Sequence, residues 1–276
     1  MRRGRSRLYA DFLIMVDRKT ALITGASFGI GLELARIFAR EGHNLVLVAR
    51  SADKLRQLAS ELEKAHGTRS LILAADLSDP GAAAYVLDQT TRANIVVDIL
   101  VNNAGFGQYG FFADNDLEEC LRQIQLNVTT LTHLTRLYLP EMLARKDGRI
   151  LNVASTAAFQ AGPLMAVYYA TKAYVLHLSE AIANELEGTG VTVTCLCPGP
   201  TSTEFQERAK ITGIRLTKYG TMDARTVAED GYRALMAGKP VVISGFKNWL
   251  VAQSVRFAPR RMATALARKL QETKSG

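Results

Sequence analysis

Thr24-Gly25-Ala26-Ser27-Phe28-Gly29-Ile30-Gly31 is the stretch of this chain that decides its fold. An apolar run at residues 21–23 precedes it, and a segment with helical periodicity at residues 32–39 follows it. A strand, a glycine-rich turn and a helix in this order form the context in which proteins bind dinucleotides. Glycines allow a tight turn and let a pyrophosphate approach the amides at the helix N-terminus. The stretch therefore predicts a phosphate-binding loop, with the spacing G-x-x-x-G-x-G.

Strand and helix patterns alternate along the rest of the chain, which predicts a doubly wound α/β fold with a parallel sheet. The expected strands, rich in apolar runs that suit burial on both faces, are residues 20–24, 44–49, 70–75, 97–102, 149–154, 191–197 and 240–244. The expected helices are residues 30–41, 52–65, 80–93, 116–144, 166–187 and 223–237. About seven strands flanked by helices make a Rossmann-like sheet. Residues 199–222 are expected to form a mobile segment over the site.

Three side chains near the fifth helix can carry acid–base chemistry. Tyr168 and Lys172 are four residues apart, which places both on one helix face. A tyrosine has an ordinary pKa of ~10, and a nearby ammonium favours its anion and lowers that pKa. Ser155, thirteen residues upstream of Tyr168, can hold a carbonyl oxygen beside the phenol. Tyr169 is also adjacent, but it lies three residues from Lys172 and fits the spacing less well.

Several further segments occur in a fixed order along the chain. They are Asp76 after an apolar strand, Asn102-Asn103-Ala104-Gly105, Asn127, and Pro198-Gly199-Pro200-Thr201-Ser202-Thr203. Together with the glycine loop and the Tyr168/Lys172 pair, they resemble the compact, single-domain short-chain dehydrogenase/reductase family over residues 19–245. The resemblance implies an oxidoreductase that acts on CH–OH or C=O groups with a nicotinamide cofactor, and it implies transfer of the pro-S hydride.

The resemblance also implies a catalytic role for each of four residues. Ser155 positions the substrate carbonyl, and Tyr168 donates its proton to the carbonyl oxygen as general acid. Lys172 lowers the pKa of Tyr168 and bonds the nicotinamide ribose. Asn127 holds a water that links Lys172 to solvent. The opposite direction would use the same groups, with tyrosinate as base.

The cofactor contacts implied by the resemblance follow the same motifs. The glycine loop would bind the pyrophosphate, Asp76 the adenine amino group, and Thr201 or Thr203 the nicotinamide carboxamide and pyrophosphate. The complete candidate set is Gly25, Ser27, Phe28, Gly29, Ile30, Gly31, Arg50, Ser51, Asp76, Leu77, Asn103, Ala104, Gly105, Tyr168, Lys172, Pro198, Gly199, Thr201 and Thr203.

The end of the second strand favours NADP(H) over NAD(H). A carboxylate at that position binds the ribose 2′-hydroxyl, whereas an arginine accommodates a 2′-phosphate. This chain has Ala49-Arg50-Ser51 there and no acid. Phe28 occupies the position before the second glycine, where the family's other NADP-binding members carry a basic residue, so one of two NADP signals is missing. Ser27 and Ser51 can still bond phosphate oxygens.

Composition and charge exclude several other classes. The net charge is +8, but residues 1–7 carry +4 and residues 246–276 carry +6, which leaves the body slightly acidic. A nucleic-acid binder would want a basic face on the folded domain instead. No run approaches the ~20 apolar residues of a membrane span, and the histidines and cysteines show no ligand spacing, so we expect no metal. Free thiols favour a reducing, cytoplasmic location. Cys195 and Cys197 are interpreted as lying on opposite strand faces, unable to pair.

Two terminal segments flank the predicted oxidoreductase domain of residues 19–245. Residues 1–18 are expected to be an N-terminal extension, disordered in part, with residues 1–14 lying upstream of a second plausible start at Met15. Residues 246–276 are expected to be a basic helical extension in which Met262, Leu266 and Leu270 recur every four residues among cations. Such a segment is typical of peripheral membrane or partner binding, and the alternative is a dimer-contact or lid helix.

The function that these features favour is NADP-dependent reduction of a hydrophobic ketone, aldehyde or 3-oxoacyl substrate by a homodimer or homotetramer. Two alternatives remain open. One is a non-catalytic dinucleotide sensor on the same fold, and the other is an NAD-dependent alcohol or hydroxysteroid-type dehydrogenase. An extended sugar-nucleotide epimerase would want G-x-x-G-x-x-G and a longer C-terminal domain. The apolar pocket candidates are Phe106, Tyr109, Phe111, Phe112, Phe159, Leu164, Met165, Phe205 and Met222.

Overall fold

A computed structural model describes residues 18–205 and 220–272. Most of the expected N-terminal extension, much of the segment expected to be mobile and the last four residues lie outside these ranges. Within them, seven parallel strands form one sheet: β1 (Thr20–Thr24), β2 (Asn44–Ala49), β3 (Ser70–Ala74), β4 (Ile99–Asn102), β5 (Gly148–Val153), β6 (Val191–Cys197) and β7 (Val241–Ile243). The strand order is β3-β2-β1-β4-β5-β6-β7, which confirms the predicted doubly wound fold.

Helices cover both faces of the sheet. They are α1 (Gly29–Arg40), α2 (Ala52–His66), α3 (Ala82–Arg92), α4 (Leu117–Ile124), α5 (Leu131–Arg145), α6 (Ala166–Glu185), α7 (Ala224–Met236), α8 (Phe246–Ser254) and α9 (Arg260–Gln271). Successive residues of β1 alternate between the two cores: Ile23 packs with α1, α2 and α7, and Leu22 packs with α3 and α5. Because each strand is buried on both faces, its sequence is continuously apolar rather than alternating.

The long helix expected over residues 116–144 forms, and helical backbone runs without a gap from Leu117 to Arg145. α4 ends at Ile124, a wider π-helical turn spans Gln125–Thr130, and α5 continues from Leu131. Such turns insert one extra residue into a helix and re-aim the side chains that follow. Asn127 lies in this turn and is buried. The π-helical turn was not predicted, because residues 125–130 hold no proline or glycine that would mark it.

The expectation for two of the cysteines was also wrong. Cys195 and Cys197 are two residues apart in β6, and side chains at that spacing lie on the same face of a strand. Both are buried, and their sulfurs lie 3.8 Å apart as free thiols. They pack in a small core with Leu131 of α5 and Val175 of α6.

The strand order reverses direction between β1 and β4. The chain winds outward through β2 and β3 on one side and through β5, β6 and β7 on the other. The loops that leave β1 and β4 therefore diverge and open a crevice at the carboxyl edge, where ligands bind in open α/β sheets. Among the described residues, no helix is long and apolar enough to cross a bilayer.

Candidate active site

A cavity of about 570 Å³ occupies this carboxyl edge. Its walls come from the loops that follow β1, β2, β3, β4, β5 and β6, together with the start of α6. The glycine loop and Tyr168 thus share one cavity although they lie far apart in the sequence. Of the catalytic and cofactor-binding candidates named from the sequence, all line this cavity except Gly31 and Asn127.

The glycine loop needs its glycines for two different reasons. Gly25 and Gly29 have φ values of +68° and +57°, in the left-handed region that side chains other than glycine avoid. Gly31 is an ordinary helical residue, but a Cβ on it would fall on the backbone oxygen of Gly25 and on the side-chain nitrogen, Nδ2, of Asn103. The first two glycines shape the turn, and the third lets α1 pack against it.

Asn103 and Thr24 hold the two diverging loops together. The Asn103 side chain donates to the backbone oxygens of Thr24 and Gly25 at 2.9 and 3.3 Å. The Thr24 hydroxyl donates to Val101 O at 3.1 Å and accepts from the backbone amides of Asn103 and Ala104. The side chain of Asn103 therefore supports the phosphate loop from behind.

The start of α1 is suited to an anion. Its N-cap, Phe28, makes no side-chain cap hydrogen bond, and its first turn contains no acidic residue. The first amides of a helix lack intrahelical partners and carry a partial positive charge. These amides lie at the cavity wall beside Ser27 and Thr203. This end of the cavity fits a pyrophosphate.

A cluster of charges lies at the far end of the cavity, where the resemblance would place the adenosine. Arg50 is exposed, and its Nη1 lies 3.9 Å from Asp76 Oδ2. The Nη2 of Arg122 lies 3.1 Å from the same oxygen. Ser78 donates to the other oxygen of Asp76 from its amide and its hydroxyl. Burial alone would raise the pKa of Asp76, but the bonds from Ser78 and the two arginines outweigh it and lower the pKa below its ordinary value.

Lys54 adds a further cation to this end of the cavity. It lies in the first turn of α2, one turn beyond Arg50, and its Nζ is 3.2 Å from Glu204. Arg50 and Lys54 therefore border the same region as Ser51. A group with two negative charges fits there.

The candidate catalytic groups converge at the other end of the cavity. Ser155 follows β5, where its Oγ accepts from Ala157 N at 3.1 Å, donates to Pro198 O at 3.4 Å and lies close enough to the Tyr168 hydroxyl to lower its pKa. Burial raises the pKa of Tyr168 to about 12, and the bond to Ser155 offsets this only in part. Tyr168 is therefore protonated at neutral pH in this structure. The sequence led us to expect a lowered pKa, and that expectation does not hold in this geometry.

The position of Lys172 explains in part why the pKa of Tyr168 is raised rather than lowered. Its Nζ donates to Val153 O at 2.7 Å and lies 5.8 Å from the centre of the Tyr168 ring, over the ring rather than at its hydroxyl. Only 6% of Lys172 is exposed, and burial lowers its pKa to about 8. The ammonium points across the cavity floor, close to Gly105.

Asn127 ties the catalytic helix to the loop after β4. Its amide nitrogen donates to Phe106 O at 2.9 Å and to Thr171 Oγ1 at 3.1 Å, and its oxygen accepts from Phe106 N. Thr171 in turn donates to Tyr168 O. The π-helical turn brings Asn127 into this position, since it turns the side chain inward between the loop and α6.

The sequence model of the short chain dehydrogenases matches residues 19–212. The chain belongs to the short-chain dehydrogenase/reductase family. Oxidoreductase UcpA of Escherichia coli K12 is 40% identical over 190 residues, which are 68% of this chain and 72% of that protein. The protein is accordingly an oxidoreductase with a nucleotide-binding fold.

Solved structures of the family superimpose closely. A short-chain dehydrogenase from Sphingobium yanoikuyae in complex with NADPH gives a TM-score of 0.76 at 35% identity, over 87% of this chain and 94% of that one. A bulky-bulky ketone specific alcohol dehydrogenase from Comamonas testosteroni gives 0.74 at 31% identity, over 88% and 93%.

The cavity also has lining residues that sequence reasoning missed. They include Lys54, Ser78, Glu119, Arg122, Leu126 and Gln271. Lys54 could have been found, because the first helical turn after Arg50 faces the same cofactor region. Gln271 gave no signal, since only the tertiary fold brings it to Tyr169.

Three of the nine apolar candidates line the cavity. They are Phe106, Met165 and Phe205. Phe111 and Phe112 are exposed, while Phe159 and Met222 pack against the sheet cores. The three lining residues make the region beside Tyr168 mainly apolar.

Proposed function

We propose that the protein reduces the carbonyl group of a hydrophobic ketone, aldehyde or 3-oxoacyl compound with NADPH. The observation that carries this proposal is the convergence of Ser155 and Tyr168 in the cavity that also holds the glycine loop. NADPH, when bound, supplies the hydride that adds to the carbonyl carbon. The chain's own residues then have to hold the oxygen and give it a proton.

Ser155 and Tyr168 divide this work between them. The Ser155 hydroxyl donates a hydrogen bond to the carbonyl oxygen and so fixes its position. The Tyr168 phenol donates its proton to the same oxygen as negative charge develops there, which yields the alcohol. A pKa near 12 keeps the phenol in its acid form at neutral pH, which is the form that donates a proton to the carbonyl oxygen.

Lys172 and Asn127 act as supporting groups. We propose that the Lys172 ammonium bonds the nicotinamide ribose. Asn127 fixes the loop that precedes the substrate pocket and the first turns of α6. We further propose that it holds the water that connects Lys172 with solvent.

NADPH is proposed as the preferred cofactor because three features fit a 2′-phosphate. Arg50 is exposed at the cavity edge, Ser51 and Lys54 border the same region, and no carboxylate ends β2. Asp76 is already engaged by Arg122 and Ser78. The NADPH complex of the Sphingobium relative supports the choice.

We expect the Arg50→Ala substitution to remove this preference. Wild type should bind NADPH at least about tenfold more tightly than NADH, and the variant should bind both alike, a loss of ~1.4 kcal/mol. Fluorescence titration with NADPH and with NADH measures the two dissociation constants for each protein.

Arg56→Ala is the matched control for that titration. Arg56 lies in α2, which begins two residues after Arg50, its side chain is paired with Asp53 at 2.5 Å and is 63% exposed, but it does not line the cavity. It should leave both affinities unchanged. Equal binding of NADH and NADPH by wild type would instead favour an NAD-dependent alcohol or hydroxysteroid-type dehydrogenase.

The substrate class is tested by turnover. Cofactor oxidation should accompany reduction of bulky aryl ketones, since Phe106, Met165 and Phe205 make the pocket apolar and the Comamonas relative is specific for bulky-bulky ketones. A panel of 3-oxoacyl thioesters tests the other proposed substrate class in the same assay. Tight NADPH binding with no turnover of any carbonyl would favour the dinucleotide sensor.

The C-terminal helices are proposed to touch an anionic membrane surface. α8, α9 and the turn between them leave seven large apolar side chains exposed: Phe246, Trp249, Leu250, Val251, Phe257, Met262 and Leu266. Six cations accompany them, at residues 247, 256, 260, 261, 268 and 269. Apolar side chains interspersed with cations are typical of helices that lie in a lipid interface. The protein would then be cytoplasmic and peripherally attached.

Vesicle sedimentation should reveal this contact. We expect binding to phosphatidylglycerol vesicles and little to phosphatidylcholine, with a partition coefficient about tenfold lower for Phe257→Ser, since burying a phenylalanine contributes ~2 kcal/mol. Phe257 is 89% exposed. Val96→Ser, exposed at the opposite end of the sheet, is the control. If Phe257→Ser dissociates an oligomer and leaves sedimentation unchanged, the patch binds a second copy instead.

We also propose a homodimer or homotetramer. Leu117 and Leu121 of α4 and Tyr174 of α6 are exposed on neighbouring helices. Members of this family generally assemble as oligomers, and such a face fits a second copy of the chain. Residues 19–245 would form the oxidoreductase unit and residues 246–276 its extension.

A further inference from the structure

The last helix of the described chain forms part of the cavity wall. α9 reaches back to the loop after β4, where the Tyr109 hydroxyl donates to Gln271 O at 2.8 Å. The guanidinium of Arg268 lies 5.5 Å from the centre of the Phe111 ring. Two independent contacts therefore hold the C-terminal end of α9 against the substrate side of the cavity.

Gln271 is the residue that α9 contributes to that wall. Only 2% of it is exposed, and it lines the cavity together with Tyr168 and Ser155. Its amide nitrogen donates to the Tyr169 hydroxyl. Its amide oxygen has no hydrogen-bond partner among the residues that the structure describes.

A buried amide oxygen without a partner, such as Oε1 of Gln271, needs a hydrogen-bond donor. Buried polar atoms are nearly always hydrogen-bonded, and one without a partner costs free energy. The Tyr169 hydroxyl meets the amide nitrogen of Gln271, and the Gln271 side chain lines the cavity. A donor that enters the cavity can therefore reach the amide oxygen.

We infer that Gln271 Oε1 accepts a hydrogen bond from the substrate, so that the substrate carries a hydroxyl or amide N–H donor in addition to its carbonyl group. The inference rests on the proposed function for the position of the carbonyl at Tyr168. The ring centres of Tyr168 and Tyr169 are 6.2 Å apart, so one small molecule can reach both the phenol of Tyr168 and the amide bonded to Tyr169. A plain hydrocarbon ketone would leave the oxygen unpaired.

Sites built to bond a polar substrate group discriminate against analogues that lack it, because their own buried group is left unpaired. Gln271 therefore sets substrate specificity without taking part in proton transfer. It would select, among bulky carbonyl compounds of similar shape, those with a donor a few bonds from the carbonyl.

The test compares matched ketones. The probes are acetophenones that carry a hydroxymethyl or an ethyl group at the 3- or 4-position, which have nearly the same shape and differ in one donor. Calorimetry on protein saturated with NADP⁺ gives their dissociation constants without turnover. NADPH oxidation gives kcat/KM for the same pairs.

The variants are Gln271→Met, which keeps the shape and removes the acceptor, and Lys269→Ala as a control on the exposed side of α9. We express the preference as the ratio of the affinity, or of kcat/KM, for the hydroxymethyl ketone to that for the ethyl ketone. This ratio should be at least about five times larger in wild type and Lys269→Ala than in Gln271→Met. The hydroxymethyl-to-ethyl ratio is measured for each protein, and comparing this ratio between proteins cancels the intrinsic reactivities of the ketones. Should Gln271→Met fail to fold, Tyr169→Phe removes the hydroxyl that orients the amide and is expected to reduce the same preference.

Each outcome separates the inference from the proposed function. A hydroxymethyl preference in binding that depends on Gln271, with no NADPH oxidation, supports the inference and overturns the reductase function. Turnover with equal ratios in wild type and Gln271→Met overturns the inference and leaves the function standing. Failure of the hydroxymethyl ketones to bind also contradicts the inference.

Discussion

Replacing Tyr168 with phenylalanine is expected to lower kcat for ketone reduction on the order of 10³-fold, because a positioned general acid contributes roughly 10²–10⁴-fold. The affinity for NADPH should change far less than kcat, since the substitution leaves the glycine loop and Arg50 of the same cavity intact. Single-turnover kinetics with saturating NADPH separates the loss of chemistry from any loss of binding.

Tyr138→Phe is the control for that experiment. Tyr138 is buried on the far side of the sheet, its hydroxyl is 2.9 Å from Thr90 Oγ1, and burial raises its pKa to about 12 as well. The same loss of a buried hydroxyl there should lower the melting temperature and leave kcat intact. If Tyr168→Phe retains wild-type kcat while Tyr169→Phe loses it, the acid has been assigned to the wrong tyrosine.

Replacing Gly31 with alanine is expected to weaken NADPH binding by about ten- to hundredfold and to lower the melting temperature. The added Cβ would fall on the backbone oxygen of Gly25 and the side chain of Asn103. Neither can move without displacing the phosphate loop, and such overpacking costs roughly 1–3 kcal/mol. Fluorescence titration and a thermal melt measure the two effects.

Gly81→Ala provides the comparison. Gly81 precedes α3 with a φ of −84°, and a Cβ there would meet nothing within 4 Å. It should leave cofactor affinity unchanged and alter the free energy of unfolding by no more than about 0.5 kcal/mol. NADPH binding by Gly31→Ala at wild-type affinity would contradict the account of the loop.

The sheet could be predicted from the sequence because its strands are short apolar runs between glycine-marked turns. All seven strands begin and end within two residues of the expected positions. The π-helical turn within the long helix could not be predicted. It depends on the hydrogen bonds between Asn127 and the backbone of Phe106, which join segments about twenty residues apart.

The candidate site was only partly accessible to sequence reasoning. The glycine loop, Arg50, Ser155 and Tyr168 could be named from local motifs, and the fold brings them to one cavity. Their roles stay predictions. The direction of the Tyr168 pKa was wrong because the sequence gives the spacing of Lys172 but not its direction, and the fold turns its Nζ toward Val153 O.

Gln271 lay beyond sequence reasoning altogether. It is 102 residues from Tyr169 along the chain, in a segment that the charge pattern marked only as a basic helix. Nothing in residues 260–271 indicates which side chain turns inward. A side chain on a terminal helix becomes part of a binding site only through tertiary contacts.

The most direct test of the account is transfer of a labelled hydride. NADPH carrying deuterium at the pro-S position of C4 would be mixed with a bulky aryl ketone and either wild type or Tyr168→Phe, and the alcohol analysed by mass spectrometry. We expect one deuterium on the carbinol carbon with wild type and almost no alcohol with the variant. Unlabelled alcohol from wild type would contradict the hydride assignment, and equal yields from the two proteins would contradict the role of Tyr168.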